Sequence, residues 1–301
     1  MSVALLAALL LALAQDAPTQ DEPALLPEVN VSGARGTVQE ARRFVEEIST
    51  APLHSLSLAT WMTPICIGTV NLTPEATLTL TSQIEARARE AGVAVQPAGC
   101  SPNITLLGTS DGRFTATELV DEFHERFMAS DGPTQGDERD LRRFAEAEVP
   151  VRWWAISALM DERSRMILVP IWGAPARRVN TTGDIYFGQN RREGLLTSLV
   201  ILDLSKTEGV SGEVLGDYLA MVVLANIDPD ARAGGYSTIL NLWDGGETSA
   251  GLTPWDKAYL KALYEAPVRL SGTTLQLRSL YQRQEMARIM ARELGVNEAA
   301  P

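Results

Sequence analysis

Histidine and cysteine are scarce in this 301-residue chain, at two each. A zinc centre takes three or four His, Cys or carboxylate ligands. One of ordinary composition is hard to assemble from so few, and the reading assigns no metal ligand and no cofactor. Basic charge is also short: 26 Lys and Arg stand against 38 Asp and Glu, a formal net charge of −12 with a pI near 4.8. Binding nucleic acid requires a basic surface, so nucleic acid is excluded as a partner. The arginines sit among acids, as in "EARRFVEE" and "DERDLRRFAEAE", a pattern of solvated helix faces. No Walker loop and no G-x-S-x-G nucleophile elbow occurs. After the first residues no long apolar run exists; "LLTSLVILDL" is too short to span a bilayer and carries an acid near its end.

What is present describes a globular protein. Apolar residues make up 45% and charged residues 21%, ordinary values for one large domain or two smaller ones. Residues 1–14, "MSVALLAALLLALA", are apolar and end in Ala12-Leu13-Ala14. Although no Lys or Arg precedes the apolar core, this reads as a signal peptide cleaved at Ala14, which predicts a periplasmic or secreted protein. Cys66 and Cys100 form an even pair, which an oxidising compartment converts to a disulfide closing a loop of about 35 residues. The alternative is two separate buried thiols.

The pattern predicts an α+β fold, a mixed sheet with helices. Residues 15–36, rich in Pro and acids, read as a flexible linker. A unit over 37–148 begins with a helix at 37–49 whose Val38, Ala41, Phe44, Val45 and Ile48 share a face. A strand "ICIGTV", a helix "PEATLTLTSQIEARAREAG" stopped by Gly92, and a strand "NITLLGT" follow. Two helices near 115–129 and 136–147 complete it. A second unit, 149–301, opens with the extended segments "VRWWAISALMD", "MILVPIWG" and "LLTSLVILDL", then turns helical at 211–227, 254–264 and 271–294.

Few motifs suggest chemistry. "FHERFM" holds His124-Glu125, but four residues after His124 stands Met128, where a zinc-peptidase helix needs its second His; a surface His beside a surface Glu is the plainer reading. Trp153 and Trp154 fall on opposite faces of a strand, one toward the core. The other, Trp154, is a groove candidate, where an exposed indole would stack on sugar or peptide; structural packing is the bland alternative. "GAPARRVNTTGDIYFG", with Arg177, Arg178, Arg191 and Arg192, reads as a solvated hairpin or an anion site.

The carboxy-terminal half carries a resemblance. The strand "LLTSLVILDL", the helix "SGEVLGDYLAMVVLANI", the turn "YSTILNLWD" and the segment "LTPWDKAYLKALY" resemble the end of a zincin-type metallopeptidase domain, over residues 195–265. There a strand leads into the metal-binding helix, a "SIMN"-like turn passes below the metal, and "LTxxDxxxLxxLY" begins the closing helix. The last piece matches through Leu252, Thr253, Asp256, Leu260, Leu263 and Tyr264. On this alignment the H-E-x-x-H positions are held by Asp217, Tyr218 and Met221, and the elongated motif's later positions fall on Leu224 and Ile227. The chain also resembles a group of uncharacterised exported bacterial proteins, through residues 29–33, Cys66, Cys100, Asn103, Ile104 and the same carboxy-terminal segments. The resemblance implies a degenerate zincin-like half, a pseudoenzyme without metal.

Its candidate groove is lined by Asp217, Tyr218, Met221, Asn241, Asp244 and Trp154. The expected function is non-catalytic, an envelope protein binding an unidentified protein or peptide. The alternative is a hydrolase with a carboxylate-based site drawn from Asp203, Asp217 and Asp244. Asp217 itself is expected to be a buried or half-buried acid capping a neighbouring loop rather than a catalyst.

Overall fold

Alternation along the central strands decides the layering. The computed structural model describes residues 37–50, 57–128, 136–167, 191–225, 227–244, 250–268 and 275–295. The expected signal peptide at 1–14, the linker at 15–36, most of "MILVPIWG", and Arg177 and Arg178 lie outside them. Among the described residues the fold is α+β, with seven α-helices and one mixed, mostly parallel five-stranded sheet. The strands are β1 (Thr60–Trp61), β2 (Ile67–Val70), β3 (Ile104–Thr109), β4 (Val151–Asp161) and β5 (Arg191–Asp203).

β5 is central. β4 runs antiparallel along one of its edges, with a register shift at Ile156/Ser157. The other edge takes β1 at Gly194 and Leu195, then β3 from Ser198 to Asp203, both parallel. β2 lies outside β3. The expected boundary at 148/149 therefore falls within one sheet, with β2 and β3 from the first part and β4 and β5 from the second.

Helices cover both faces. Val200 and Leu202 of β5 and Trp153 of β4 enter the main core, whereas Ile201 and Trp154 enter a second cluster on the opposite face. That second layer is α3 (Gly112–Phe127) and α4 (Glu138–Glu146). The main core is closed by α1 (Val38–Ile48), α2 (Pro74–Glu90), α5 (Gly212–Ala225), α6 (Pro254–Glu265) and α7 (Leu275–Glu293). Helix α5 is buried from Leu215 through Ala225. An all-round apolar helix suits only such a position.

Local chemistry fixes the joints. Thr253 and Asp256 form a capping box that starts α6, with Pro254 in its first turn. The same Asp256 carboxylate accepts the Thr238 hydroxyl (2.5 Å) and the Ile239 N–H (2.8 Å). It thus fastens the 3-10 helix Ile239–Trp243 to α6. Cys66 and Cys100 are joined by a disulfide at the approaches to β2 and β3. Asn103 backs it: its N–H donates to the Cys66 carbonyl (3.0 Å), and its side chain accepts the Cys66 N–H (2.7 Å).

Candidate functional site

The outer edge of β4 opens into a cavity of about 510 Å³. Pro150 directly precedes β4, and its carbonyl accepts the Asp203 N–H of the central strand (2.9 Å). Antiparallel alternation then turns the main-chain groups of Arg152 and Trp154 toward β5, and those of Val151, Trp153 and Ala155 away from it. No bond among the described residues meets these outward groups, although farther along the same edge the chain turns back, with Ile167 pairing antiparallel to Met160 and the Asp161 N–H donating to the Met166 carbonyl (2.9 Å). Val151, Trp153 and Ala155 all line the cavity.

Its walls come from three places. On one side α4 contributes Asp140, Arg143 and Phe144. On the other stand residues 227–231, which follow α5, and the 3-10 helix with Leu240, Trp243 and its capping Asp244. Tyr218 of α5 lies between them, its ring edge-on to Trp243 at 6.0 Å between centroids. Burial pushes the Tyr218 phenol up, with Trp243 opposing and Asp244 reinforcing, so it is un-ionised. Both tryptophans of β4 border the cavity from within the sheet, donating their indole N–H groups to the carbonyls of Ile227 and Phe127 (3.0 Å each). Each is only 8% exposed, as in the structural-packing reading rather than that of an exposed stacking indole.

Acids dominate the polar lining. Asp140, Asp228, Asp230 and Asp244 face two cations, Arg143 and Arg152. Arg152 is committed elsewhere: it donates to the carbonyls of Phe144, Ala145 and Ala147 (3.0, 3.0 and 2.7 Å), capping the end of α4. Arg143 pairs with Asp140 on its own helix and with Asp230 across the cavity mouth. Burial, reinforced by Asp140 and opposed by Arg143, raises the Asp228 carboxyl above the ordinary carboxylate range.

Of the groove candidates, Tyr218, Asp244 and Trp154 line this cavity. Asp217, next to Tyr218 but about 100° around the helix, points to α2 instead. It accepts Gln83 Nε2 (2.7 Å), Arg87 Nε (2.7 Å) and the Leu252 N–H (2.8 Å). Burial alone would raise its carboxyl, but Arg87 and these donors outweigh that and hold it below the ordinary value. Met221, on the same helix face, is fully buried in the main core. Asn241 clamps its own loop, donating to the carbonyls of Ala233 (3.2 Å) and Tyr236 (2.9 Å). Asp203 lies at the end of β5, where it accepts Ser205 Oγ (2.6 Å) and the Gly112 N–H (3.1 Å).

Other flagged residues are structural. His124 is exposed and 3.1 Å from Glu138. Arg192 is in β5 and donates to the Ala266 carbonyl (3.0 Å), which places it at the end of α6. Among the described residues no three His, Cys, Asp or Glu side chains are grouped to hold a metal ion. Sequence reasoning did not bring the outer side of β4, the acids of residues 227–231 and the helix expected near 136–147 together at one cavity. Two signals were there: Pro150 just before β4, a residue tolerated only at strand starts and edges, and "IDPD" directly after an apolar helix.

Comparison with protein families, with curated proteins and with solved structures finds no match for this chain.

Proposed function

We propose that this is an exported, non-catalytic binding protein of the bacterial envelope, whose cleft takes up an extended peptide as an added strand along residues 151–155. One observation carries the reading: the main-chain groups of Val151, Trp153 and Ala155, which meet no partner among the described residues, face a cavity roomy enough for another chain. The described lining includes no Ser, Cys, His or Lys, and its only hydroxyls belong to Thr50 and Tyr218. That inventory suits recognition better than bond cleavage.

The zincin-like reading of the carboxy-terminal half draws support from the order of its parts. β5 runs into α5, the 3-10 helix packs beside α5, and Asp256 ties that turn to α6. The helix then serves as packing, with Asp217 engaged by Arg87 rather than facing the cleft. Export is supported by the Cys66–Cys100 disulfide, a bond that persists in oxidising compartments. A carboxylate-based hydrolase draws less support, because among the described residues Asp203 and Asp217 are engaged by separate sets of donors.

Fluorescence polarisation with a pool of labelled mixed seven-residue peptides tests this. Ala155→Pro removes one outward N–H and spares the bonds to β5, so binding should weaken about tenfold with an unchanged melting temperature. Because that variant can disturb the strand, the same peptides N-methylated at alternate residues provide a control on the intact protein. They should bind as poorly. Absence of binding by any peptide, or indifference to N-methylation, would overturn the proposal.

A further inference from the structure

Arg192 does more than close the end of α6. It stands in β5 opposite Met160 of β4, and its side chain is 12% exposed. One terminal nitrogen donates to the carbonyls of Leu263 and Ala266 (3.4 and 3.0 Å). The Nε–H is buried and meets no acceptor among the described residues. The one carboxylate paired with this guanidinium there, Glu162, is 3.9 Å from the other terminal nitrogen and half exposed. Burial pulls the Arg192 guanidinium below its ordinary value, with Glu162 opposing. A buried charge with an unmet N–H calls for a further acceptor.

Arg192 borders a cavity of about 230 Å³, which shares no residue with the cleft beside residues 151–155. The second basic group on its lining is Arg165, which gives one nitrogen to the Met62 carbonyl and pairs with no carboxylate among the described residues. The turn that carries Arg165 is fixed, because the Asp161 carboxylate accepts both the N–H and the hydroxyl of Ser164 (2.7 and 2.8 Å). Two other donors on the lining are spent within the fold. The Trp61 indole donates to the Val223 carbonyl and the Tyr264 hydroxyl to the Leu224 carbonyl (2.7 Å each). Two guanidiniums against Glu162 leave the cavity at +1 formally, in a chain whose net charge is −12.

We infer that this cavity binds a small monocarboxylate, whose carboxyl group accepts the free Arg192 N–H beside the Arg165 charge while its apolar body rests among Met62, Val93 and Ala94. A carboxylate matches the fork of a guanidinium, and its single charge neutralises the cavity. The volume lies below the range of about 300–1,000 Å³ usual for drug-sized ligands, which excludes an extended peptide and admits a molecule of the size of benzoate. Glu162 is the built-in competitor, since it is the carboxylate that Arg192 already attracts.

Isothermal titration of the full chain with benzoate, benzamide and inorganic phosphate tests this. Benzoate should bind about tenfold more tightly than benzamide, its neutral counterpart of the same shape, and more tightly than phosphate. Arg192→Gln should erase that preference. Because Arg192 also holds the end of α6, two variants on the exposed turn decide the matter independently of folding. Arg165→Gln should weaken benzoate binding about threefold with an unchanged melting temperature. Glu162→Gln should strengthen it about threefold and leave benzamide unchanged, a gain that misfolding cannot produce. If benzoate and benzamide bind alike, if neither binds, or if Glu162→Gln leaves benzoate binding unchanged, the inference falls. Tighter binding of phosphate than of benzoate would overturn the assignment to a carboxylate.

Discussion

Asp217 is where the zincin resemblance and the physical reading of the chain meet. It is 2% exposed and satisfied on both oxygens by Gln83, Arg87 and the Leu252 N–H. Gly251 lets the loop come this close: it has φ +150, and a Cβ there would lie 2.5 Å from the Asp217 carboxylate. Removing one member of a buried pair strands the other. Asp217→Ala should therefore cost about 3 kcal/mol in urea unfolding near neutrality, toward the low end because Glu90 still holds Arg87. The sign of the pH dependence follows from the lowered pKa. The native protein binds fewer protons than the unfolded chain between the folded value and the ordinary 3.8. The contribution of Asp217 is thus complete above 3.8 and is lost as pH falls through the folded value. The gap between wild type and Asp217→Ala should narrow as the pH falls below 3.8; a constant gap would mean that the carboxylate charge plays no part.

At the scale of elements, β2, α2 and β3 form a parallel βαβ unit whose two strand approaches are joined by Cys66–Cys100 across a separation of 34 residues. Loop-closure entropy for that span gives the bond a contribution of about 3–4 kcal/mol. The Cys66→Ser/Cys100→Ser variant should lose that much in denaturant unfolding while keeping its far-ultraviolet circular dichroism, because Asn103 still ties the strands. An unchanged midpoint would show that the unfolded chain is already restricted there. Elements like these were legible because their signals are local. Thr37, Thr73 and Thr253 cap helices by side-chain bonds within three residues, and Phe44, Val45 and Ile48 repeat at helical spacing. The cleft was much less legible. Asp140, Trp153, Tyr218, Asp228 and Asp244 belong to five segments, and nothing in their spacing predicts that they share a cavity. The resemblance drew attention to Asp217 and Met221, but the phase of α5 presents Tyr218 to the cleft.

The whole molecule is held together by strands and helices distant in sequence, and this bears on the boundary near residue 148. β3 finds its inner neighbour only in β5, which comes after that point. Phe44 of α1 packs its ring against Tyr236, Trp255 and Tyr259, at centroid distances of 5.0, 5.3 and 6.0 Å. α2 rests on α5, with Asp217 paired to Arg87 between them. A fragment of residues 37–148 would thus keep a two-stranded parallel ribbon with one long edge exposed and an amphipathic α1 without its partners. Parallel pairs of this size do not stand alone, and the uncovered β3 edge invites association. Expressed alone, 37–148 should show no cooperative melt and a collapsed amide proton spectrum, whereas the longer chain should unfold in one transition. Dispersed amide signals and a sharp melt from the fragment would instead establish two domains, and the cleft would then have to be understood as a surface of the second one.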